Sequence, residues 1–160
     1  MNDRTRKATG LLISLLMCYG AAVIGGLFGA GGQGGWYADL AKPSWTPPSW
    51  VFGPVWTILY GMMAVAVWLV WLRHRQRPAA AAMAAFALQL AFNAAWSPLF
   101  FGLHRPGLAF ADIVLLWLAL VATVWLFLRR SAVAAVLLLP YLLWVSFAAA
   151  LNLAIWRLNV

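Results

Sequence analysis

Residues Ser49–Leu72 read SWVFGPVWTILYGMMAVAVWLVWL, a run of 24 residues without a charged side chain. An α-helix rises ~1.5 Å per residue, so a run of this length spans the ~30 Å hydrocarbon core of a bilayer. Lipid offers no hydrogen bonds to a backbone, which leaves helices and closed barrels as the only spanning structures. The run lacks the polar and apolar alternation of a barrel strand, and it therefore predicts a transmembrane helix.

Four further apolar runs accompany it, at 11–30, 79–103, 107–128 and 131–156, and only the run at 107–128 carries a charged side chain, Asp112. The chain of 160 residues is 66% hydrophobic and 9% charged, which leaves too little polar surface to coat a water-soluble domain. We therefore expect an all-α fold, an integral membrane bundle of five transmembrane helices that forms one domain over residues 1–160.

Basic residues account for the net charge of +8, and they lie almost wholly between the apolar runs rather than along an amphipathic stripe. This distribution is typical of orientation signals in membrane proteins and gives no indication of a nucleic-acid partner. If the chain crosses five times, one side carries Arg4, Arg6, Lys7, Arg73, Arg75, Arg77, Arg129 and Arg130, and the other Lys42, Arg105 and Arg157. The positive-inside rule then predicts a cytoplasmic N-terminus in a bacterial cell membrane.

The first loop, 31–50, begins with glycines and continues with aromatic residues separated by prolines. Proline fixes φ and holds the preceding residue extended, so this loop is stiff. Trp and Tyr prefer the headgroup region, which makes an interfacial aromatic belt one interpretation. The alternation of aromatics with stiffening prolines favours an ordered lid over the mouth of the bundle. The residues concerned are Trp36, Tyr37, Trp45 and Trp50, with Pro43, Pro47 and Pro48.

The run at 79–103 carries two opposed stripes at helical spacing. Steps of 3, 4, 3 and 4 place Phe86, Gln89, Asn93, Trp96 and Phe100 on one face. The opposite face carries Ala80, Ala84, Ala87, Ala91 and Ala95. Small residues let helix backbones approach closely in lipid, so we expect the alanines to face another helix or a second subunit. The polar and aromatic face then points into the bundle, where its amides either bind neighbouring helices or contact a ligand.

Two other runs also carry aromatic residues on one helical face. In 131–156, Tyr141, Trp144, Ala148 and Asn152 share a face, and in 49–72 Trp56 and Tyr60 lie one turn apart. Ordinary bundle packing explains each aromatic singly, whereas their convergence predicts a pocket. The pairs Gly25/Gly29 and Gly26/Ala30 in the first run predict a close-packed helix surface.

Candidates for catalysis or metal binding are few. Cys18 lies within the first run, where a small packing role is expected, and His74 and His104 lie in loops on opposite sides. We expect no catalytic set, no metal site and no axial haem ligand. Asp112 is the only intramembrane carboxylate, and its position near the start of its run is compatible with either a proton pathway or an interfacial location.

Three stretches resemble the signature of the TspO/translocator protein family, the tryptophan-rich sensory proteins or peripheral-type benzodiazepine receptors. They are WYADLAKPSWTPPSW at 36–50 continued by GPVW at 53–56, QLAFNAAWSPLFFG at 89–102, and PYLLW at 140–144 followed by Leu151 and Asn152. The resemblance extends from the first run to Arg157. It implies five transmembrane helices, usually in a dimer, around a pocket for porphyrins such as protoporphyrin IX. Some members also bind cholesterol and synthetic isoquinoline carboxamide or benzodiazepine ligands.

By this resemblance Trp56 and Trp144 contact the ligand, Asn93 is a pocket polar residue, Ala148 influences ligand handling, and the loop 36–50 covers the pocket. Leu153 stands where the family's sterol-recognition pattern has an aromatic residue, which argues against specific cholesterol binding. The predicted ligand-binding residues are Trp36, Trp45, Trp50, Trp56, Gln89, Asn93, Trp96, Tyr141, Trp144, Ala148 and Asn152.

The favoured function is that of a membrane receptor or carrier for a tetrapyrrole, acting in porphyrin sensing, transport or turnover. Indole rings stack on a porphyrin plate, Asn93 and Gln89 bind its polar edges, and Lys42 or Arg105 meets a propionate. A metal-free tetrapyrrole suits these residues better than haem. The alternatives are a proton-coupled exporter that uses Asp112, a sterol-binding translocator, and light-dependent porphyrin degradation by electron transfer from Trp56 or Trp144. A homodimer through Ala84, Ala87, Ala91 and Ala95 is expected.

Overall fold

The computed structural model describes residues 2–32, 35–73 and 79–160, and it gives no side-chain placement for 30–32. His74, Arg75 and Arg77, which entered the sequence predictions, lie outside the described residues. The described chain contains six α-helices and one π-helical segment, and no strand. These are α1 (Asp3–Gly32), α2 (Trp36–Asp39), α3 (Ser49–Leu72), α4 (Ala80–Ser97), the π-segment (Pro98–Gly102), α5 (Pro106–Leu128) and α6 (Ala132–Leu158).

Five of these helical stretches are long and apolar enough to cross a bilayer, which confirms the predicted all-α membrane fold. They are arranged as a closed ring, because each helix packs against two neighbours in the order α1, α3, α6, α5, α4 and back to α1. A ring of five helices has an interior that side chains must fill or leave as a cavity. In this bundle the interior differs between the two ends of the helices.

The half of the bundle interior nearest the chain's N-terminus is filled by a solid core. Phe86 of α4 stacks on Phe127 of α5 with 5.9 Å between ring centroids, and Met63, Leu120 and Leu138 are fully buried around them. Small buried residues between the helices allow their backbones to approach closely. These are Ala64, Ala66, Ala82 and Ala134. The other half carries the loop 35–48 and holds the cavity.

Proline and serine set several helix boundaries. Ser131 begins α6, because its Oγ accepts a hydrogen bond from the Ala134 N–H at 3.3 Å. Pro106 opens α5, where its missing N–H costs nothing. Pro140 lies inside α6, where it removes one helical hydrogen bond.

The sequence analysis did not predict the change of helix type after α4. Pro98 has no N–H to donate to the carbonyl of residue 94, so the α-helical ladder is interrupted there. The chain continues through i to i+5 bonding, since the Leu103 N–H donates to the Pro98 carbonyl at 2.9 Å. The resulting wide turn places Phe100 in the interior and Phe101 beside it, with 4.9 Å between their centroids.

Candidate ligand-binding site

A cavity of about 720 Å³ occupies the half of the bundle interior that lies under the loop 35–48. All five long helices and the π-segment contribute to its wall, as does the loop itself. Its volume falls within the ~300–1,000 Å³ that is usual for small-molecule sites. Most of the wall is apolar or aromatic, with a few polar groups, and this composition is typical of a site for a largely apolar ligand.

Three tryptophans from three helices converge on this cavity: Trp56 of α3, Trp96 of α4 and Trp144 of α6. Neighbouring rings hold them in place. Trp96 stacks on Phe100 at 5.0 Å between centroids, and Trp144 meets Phe52 edge-on at 5.8 Å. Aromatic pairs of this kind contribute ~0.5–1.5 kcal/mol beyond their area burial, so the indoles form a preorganised wall.

A chain of buried hydrogen bonds forms the floor of the cavity. The Tyr60 hydroxyl donates to Asn93 Oδ1, Asn93 Nδ2 donates to the Tyr141 hydroxyl at 2.8 Å, and that hydroxyl donates to Gln89 Oε1 at 3.0 Å. Asn93 therefore joins α3, α4 and α6, which confirms that its amide connects helices. Tyr60 and Asn93 also face the cavity, whereas Tyr141 and Gln89 lie behind them.

Two further polar groups shape the wall. The Trp96 Nε1–H donates to Asn152 Oδ1 at 2.9 Å, and Asn152 Nδ2 donates to the Pro106 carbonyl at 2.9 Å, which ties α4, α5 and α6 together. Trp144 differs, because its Nε1 is buried and has no hydrogen-bond partner among the described residues. A buried unsatisfied N–H carries a free-energy cost of ~1–3 kcal/mol.

The loop 35–48 covers the cavity, and we call it the lid. Tyr37, Lys42, Thr46 and Pro47 face the cavity from it. Burial raises the pKa of the Tyr37 hydroxyl, which therefore stays protonated at neutral pH. Lys42 Nζ donates to the carbonyl oxygens of Ala38 (2.9 Å) and Leu40 (3.0 Å) and lies 4.9 Å from the centroid of the Tyr37 ring. The ammonium is thus held at the roof of a largely apolar chamber.

The lid is fastened to the bundle from outside the cavity. Trp36 stacks on His104 with 4.5 Å between centroids, and Trp45 meets Phe147 edge-on at 5.8 Å. Both indoles therefore lie outside the cavity wall, although the sequence pattern indicated ligand contact. His104 is exposed and has a positive φ of 54°, a backbone conformation that presents its ring to Trp36.

Asn159, just beyond α6, makes a paired polar contact with the lid. Its Oδ1 accepts from the Ala41 N–H at 2.9 Å, and its Nδ2 donates to the Ala41 carbonyl at 2.9 Å. Nδ2 also donates to the Ile155 carbonyl at 2.7 Å, which orients the amide. We call this paired contact the clasp. It joins residues 118 positions apart, and no sequence pattern signals it.

Between α1 and α3 the cavity wall is lined by glycine, which leaves a gap in its side-chain lining. Gly26 and Gly29 of α1 and Gly53 of α3 face the cavity, and a Cβ on any of them would meet no atom within 4 Å. The prediction that these α1 glycines form a close-packed surface is therefore wrong for Gly26 and Gly29 within the chain. The Tyr19 hydroxyl bridges the two helices below the gap by donating to the Thr57 carbonyl at 2.9 Å.

Seven of the predicted residues face the cavity, and four do not. Trp50 faces it from the mouth, where 75% of its surface is exposed. The cavity-facing predictions are Trp50, Trp56, Asn93, Trp96, Trp144, Ala148 and Asn152. Those placed elsewhere are Trp36 and Trp45, which fasten the lid, and Gln89 and Tyr141, which support the floor. The wall residues Tyr19, Gly26, Tyr37, Ser97 and Phe100 were not among the predicted ligand-binding residues, although Phe100 lies on the predicted inward face and Tyr37 in the predicted lid.

Asp112 and the alanine stripe lie away from the cavity. Asp112 is only 8% exposed, and its Oδ2 has no hydrogen-bond partner among the described residues. Ala84, Ala87 and Ala91 are exposed on the outer face of α4, so no helix of the same chain covers them. Within the described residues, no three His, Cys, Asp or Glu side chains lie close enough to hold a metal ion.

Comparison with known proteins places this architecture in context. The sequence profile of the TspO/MBR family matches residues 14–157. The chain is 41% identical over 153 residues to the tryptophan-rich protein TspO of Chlorobaculum tepidum, covering 93% of this chain and 95% of that protein. It is 38% identical over 148 residues to the protein CrtK of Rhodobacter capsulatus, covering 92% and 91%. It is 44% identical over 126 residues to the human translocator protein, covering 78% and 75%.

Proposed function

The chain belongs to the TspO/MBR family, and from this premise we propose that it is a membrane receptor or carrier that binds a tetrapyrrole such as protoporphyrin IX in the cavity under the lid. Its role would lie in porphyrin sensing, transport or turnover. The observation that carries this proposal is the convergence of Trp56, Trp96 and Trp144 on one chamber of about 720 Å³. A flat, apolar and π-rich guest gains most from such walls.

The polar groups of the chamber match the remaining chemistry of a porphyrin. Asn93 faces the chamber and donates one amide N–H to Tyr141, so its second N–H is the group that would bind the polar edge or ring nitrogens of a porphyrin. Lys42 at the roof would bind a propionate by exchanging its backbone carbonyl partners for a carboxylate. Arg105 is exposed outside the wall, so Lys42 is the better placed of the two cations. No histidine among the described residues faces the chamber, which favours a metal-free tetrapyrrole over haem.

The setting of the protein forms part of the proposal. The N-terminus would be cytoplasmic in a bacterial cell membrane, as the charge asymmetry predicts. An apolar ligand dissolved in the bilayer would reach the chamber through the glycine-lined gap between α1 and α3. Two chains would associate through the alanines at 84, 87, 91 and 95 of α4, of which the first three are exposed, since small residues permit close helix packing.

The test is a titration of purified protein with protoporphyrin IX, haem and cholesterol, followed by tryptophan fluorescence. We expect saturable, submicromolar binding of one protoporphyrin IX per chain and weaker binding of haem. Ala148→Phe fills the chamber and should weaken protoporphyrin IX binding at least tenfold. Ala150→Phe is the matched control, because Ala150 points away from the chamber two residues along the same helix. Non-saturable binding, or equal effects of the two variants, would refute the proposal, and tighter cholesterol binding would favour the sterol translocator.

A second candidate function rests on Asp112. A buried carboxylate with an unpartnered oxygen is the expected feature of a proton-coupled exporter. It lies outside the chamber wall, so coupling would have to act through the helices around it. Proton flux into proteoliposomes that is abolished by Asp112→Asn would support this candidate. Light-dependent degradation of bound porphyrin is tested by illumination, and unchanged rates in Trp56→Phe and Trp144→Phe would exclude electron transfer from these indoles.

A further inference from the structure

Cations from three helices are gathered at the end of the bundle opposite the lid. Only one described carboxylate, Asp3, accompanies them, and it pairs with Arg6 (3.0 Å) and Lys7 (2.7 Å). The described cations at this end, which we call the basic end, are Arg4, Arg6, Lys7, Arg73, Arg129 and Arg130.

Contacts between helices hold the backbones of the basic end together. The Arg73 guanidinium of α3 donates to the carbonyl of Arg130, which follows α5. The Trp68 Nε1–H of α3 donates to the Lys7 carbonyl of α1 at 3.0 Å. Trp71 lies directly against α1, since a Cβ added at Gly10 would come within 2.4 Å of its ring. Three helix ends therefore keep a fixed relation to one another here.

Tryptophan rings at the same level position two of the guanidinium groups. The Arg129 guanidinium lies 3.7 Å from the centroid of the Trp125 ring, and that indole is 51% exposed on the outer face of the bundle. The Arg6 guanidinium lies 5.9 Å from the Trp71 ring centroid. Interfacial tryptophan marks the level of lipid headgroups. Cations packed on such rings are thus held at the depth of the lipid phosphates.

We propose that the basic end is a binding site for the headgroup of an anionic phospholipid, and that the Arg73 and Arg129 guanidinium groups both contribute to binding its phosphate. An orientation signal alone needs only positive charge in a loop and no defined arrangement. Here the charges are fixed relative to three helices and next to exposed apolar helix surface that acyl chains contact. Guanidinium groups bind phosphate oxygens by charge-assisted hydrogen bonds, and basic residues near the membrane surface attract anionic lipid.

Native mass spectrometry of the purified chain tests this proposal with phosphatidylglycerol and phosphatidylcholine of identical acyl chains. We expect wild-type protein to retain phosphatidylglycerol in preference to phosphatidylcholine. Arg73→Gln/Arg129→Gln should lose about fivefold in phosphatidylglycerol affinity per cation, hence roughly 25-fold for the pair. The matched control is Arg105→Gln/Arg157→Gln, which removes the same charge from the lid end and should change that affinity less than twofold.

A charge-conserving variant separates lipid binding from folding. Arg73→Lys/Arg129→Lys removes the guanidinium contacts but keeps both charges, so its phosphatidylglycerol affinity should fall between those of wild type and the glutamine pair. Equal retention of the two lipids by wild type, equal losses in the two glutamine pairs, or wild-type affinity in the lysine pair would each overturn the proposal. Protoporphyrin IX affinity should be unchanged in all of these variants, because the basic end lies outside the chamber.

Discussion

The clasp between Asn159 and Ala41 should control how long a ligand stays under the lid. Asn159→Ala removes both hydrogen bonds to the Ala41 backbone and leaves the aromatic contacts of Trp36 and Trp45 in place. We expect the lid to open more often in this variant. The chamber itself should be unaltered, because Asn159 does not face it.

The expected magnitude follows from the two lost hydrogen bonds. Each contributes ~0.5–1.5 kcal/mol, and water partly replaces them because the clasp is exposed, so the closed lid loses about 1–2 kcal/mol. Since ~1.4 kcal/mol corresponds to a factor of ten, the open fraction should rise about 5- to 30-fold. Dissociation of a ligand that leaves after lid opening accelerates by the same factor.

The assay is stopped-flow dissociation of protoporphyrin IX, followed by recovery of tryptophan fluorescence. Asn159→Asp keeps the acceptor for the Ala41 N–H and loses the donor, so its rate should be intermediate. Arg157→Gln is the control, because Arg157 is exposed on the last turn of the same helix. This variant should release ligand at the wild-type rate. An unchanged dissociation rate in Asn159→Ala would refute this prediction. It would mean either that the clasp does not hold the lid closed or that the ligand does not leave past the lid.

Three other predictions concern the floor, the gap and Asp112. Asn93→Leu leaves the Tyr60 and Tyr141 hydroxyls without their bridging amide, so the free energy of unfolding in detergent should fall by ~1–3 kcal/mol, and an unchanged thermal midpoint would contradict this. A Cβ at Gly26 would meet no atom within 4 Å, so Gly26→Leu should leave the fold intact while slowing protoporphyrin IX uptake from vesicles several-fold; wild-type uptake would show that ligand arrives by another route. Asp112→Asn should bind protoporphyrin IX within twofold of wild type, and a larger change would mean that this carboxylate acts on the chamber.

Helical spacing in the sequence predicted which faces of several helices point into the bundle. The steps from Phe86 to Phe100 identified the inward face of α4 because a buried stripe on a regular helix repeats at this spacing. The same reasoning located Trp144 and Ala148 on the inward face of α6. It could not tell the chamber from the layer below its floor, since Gln89 and Tyr141 lie on the inward faces of α4 and α6 yet do not line the cavity. Position along the bundle axis leaves no trace in periodicity.

Other features depend on tertiary contacts that spacing does not encode. Trp36 and Trp45 lie in an irregular loop, where no helical period says which way a ring points, and both fasten the lid from outside. The glycines of α1 are compatible equally with close packing and with an open gap, and the neighbouring helix decides between them. Pro98 did offer a local signal for the π-segment, because its missing N–H must interrupt the α-helical ladder.

The most direct test of the account compares two tryptophan truncations. Trp144 faces the chamber from α6, whereas Trp125 of α5 lies on the outer face of the bundle and is 51% exposed. Protoporphyrin IX dissociation constants, measured at equilibrium on the same preparation, should rise at least tenfold for Trp144→Ala. They should stay within twofold of wild type for Trp125→Ala. Equal constants for the two variants would show that the ligand does not bind among the converging indoles, and the central claim would fail.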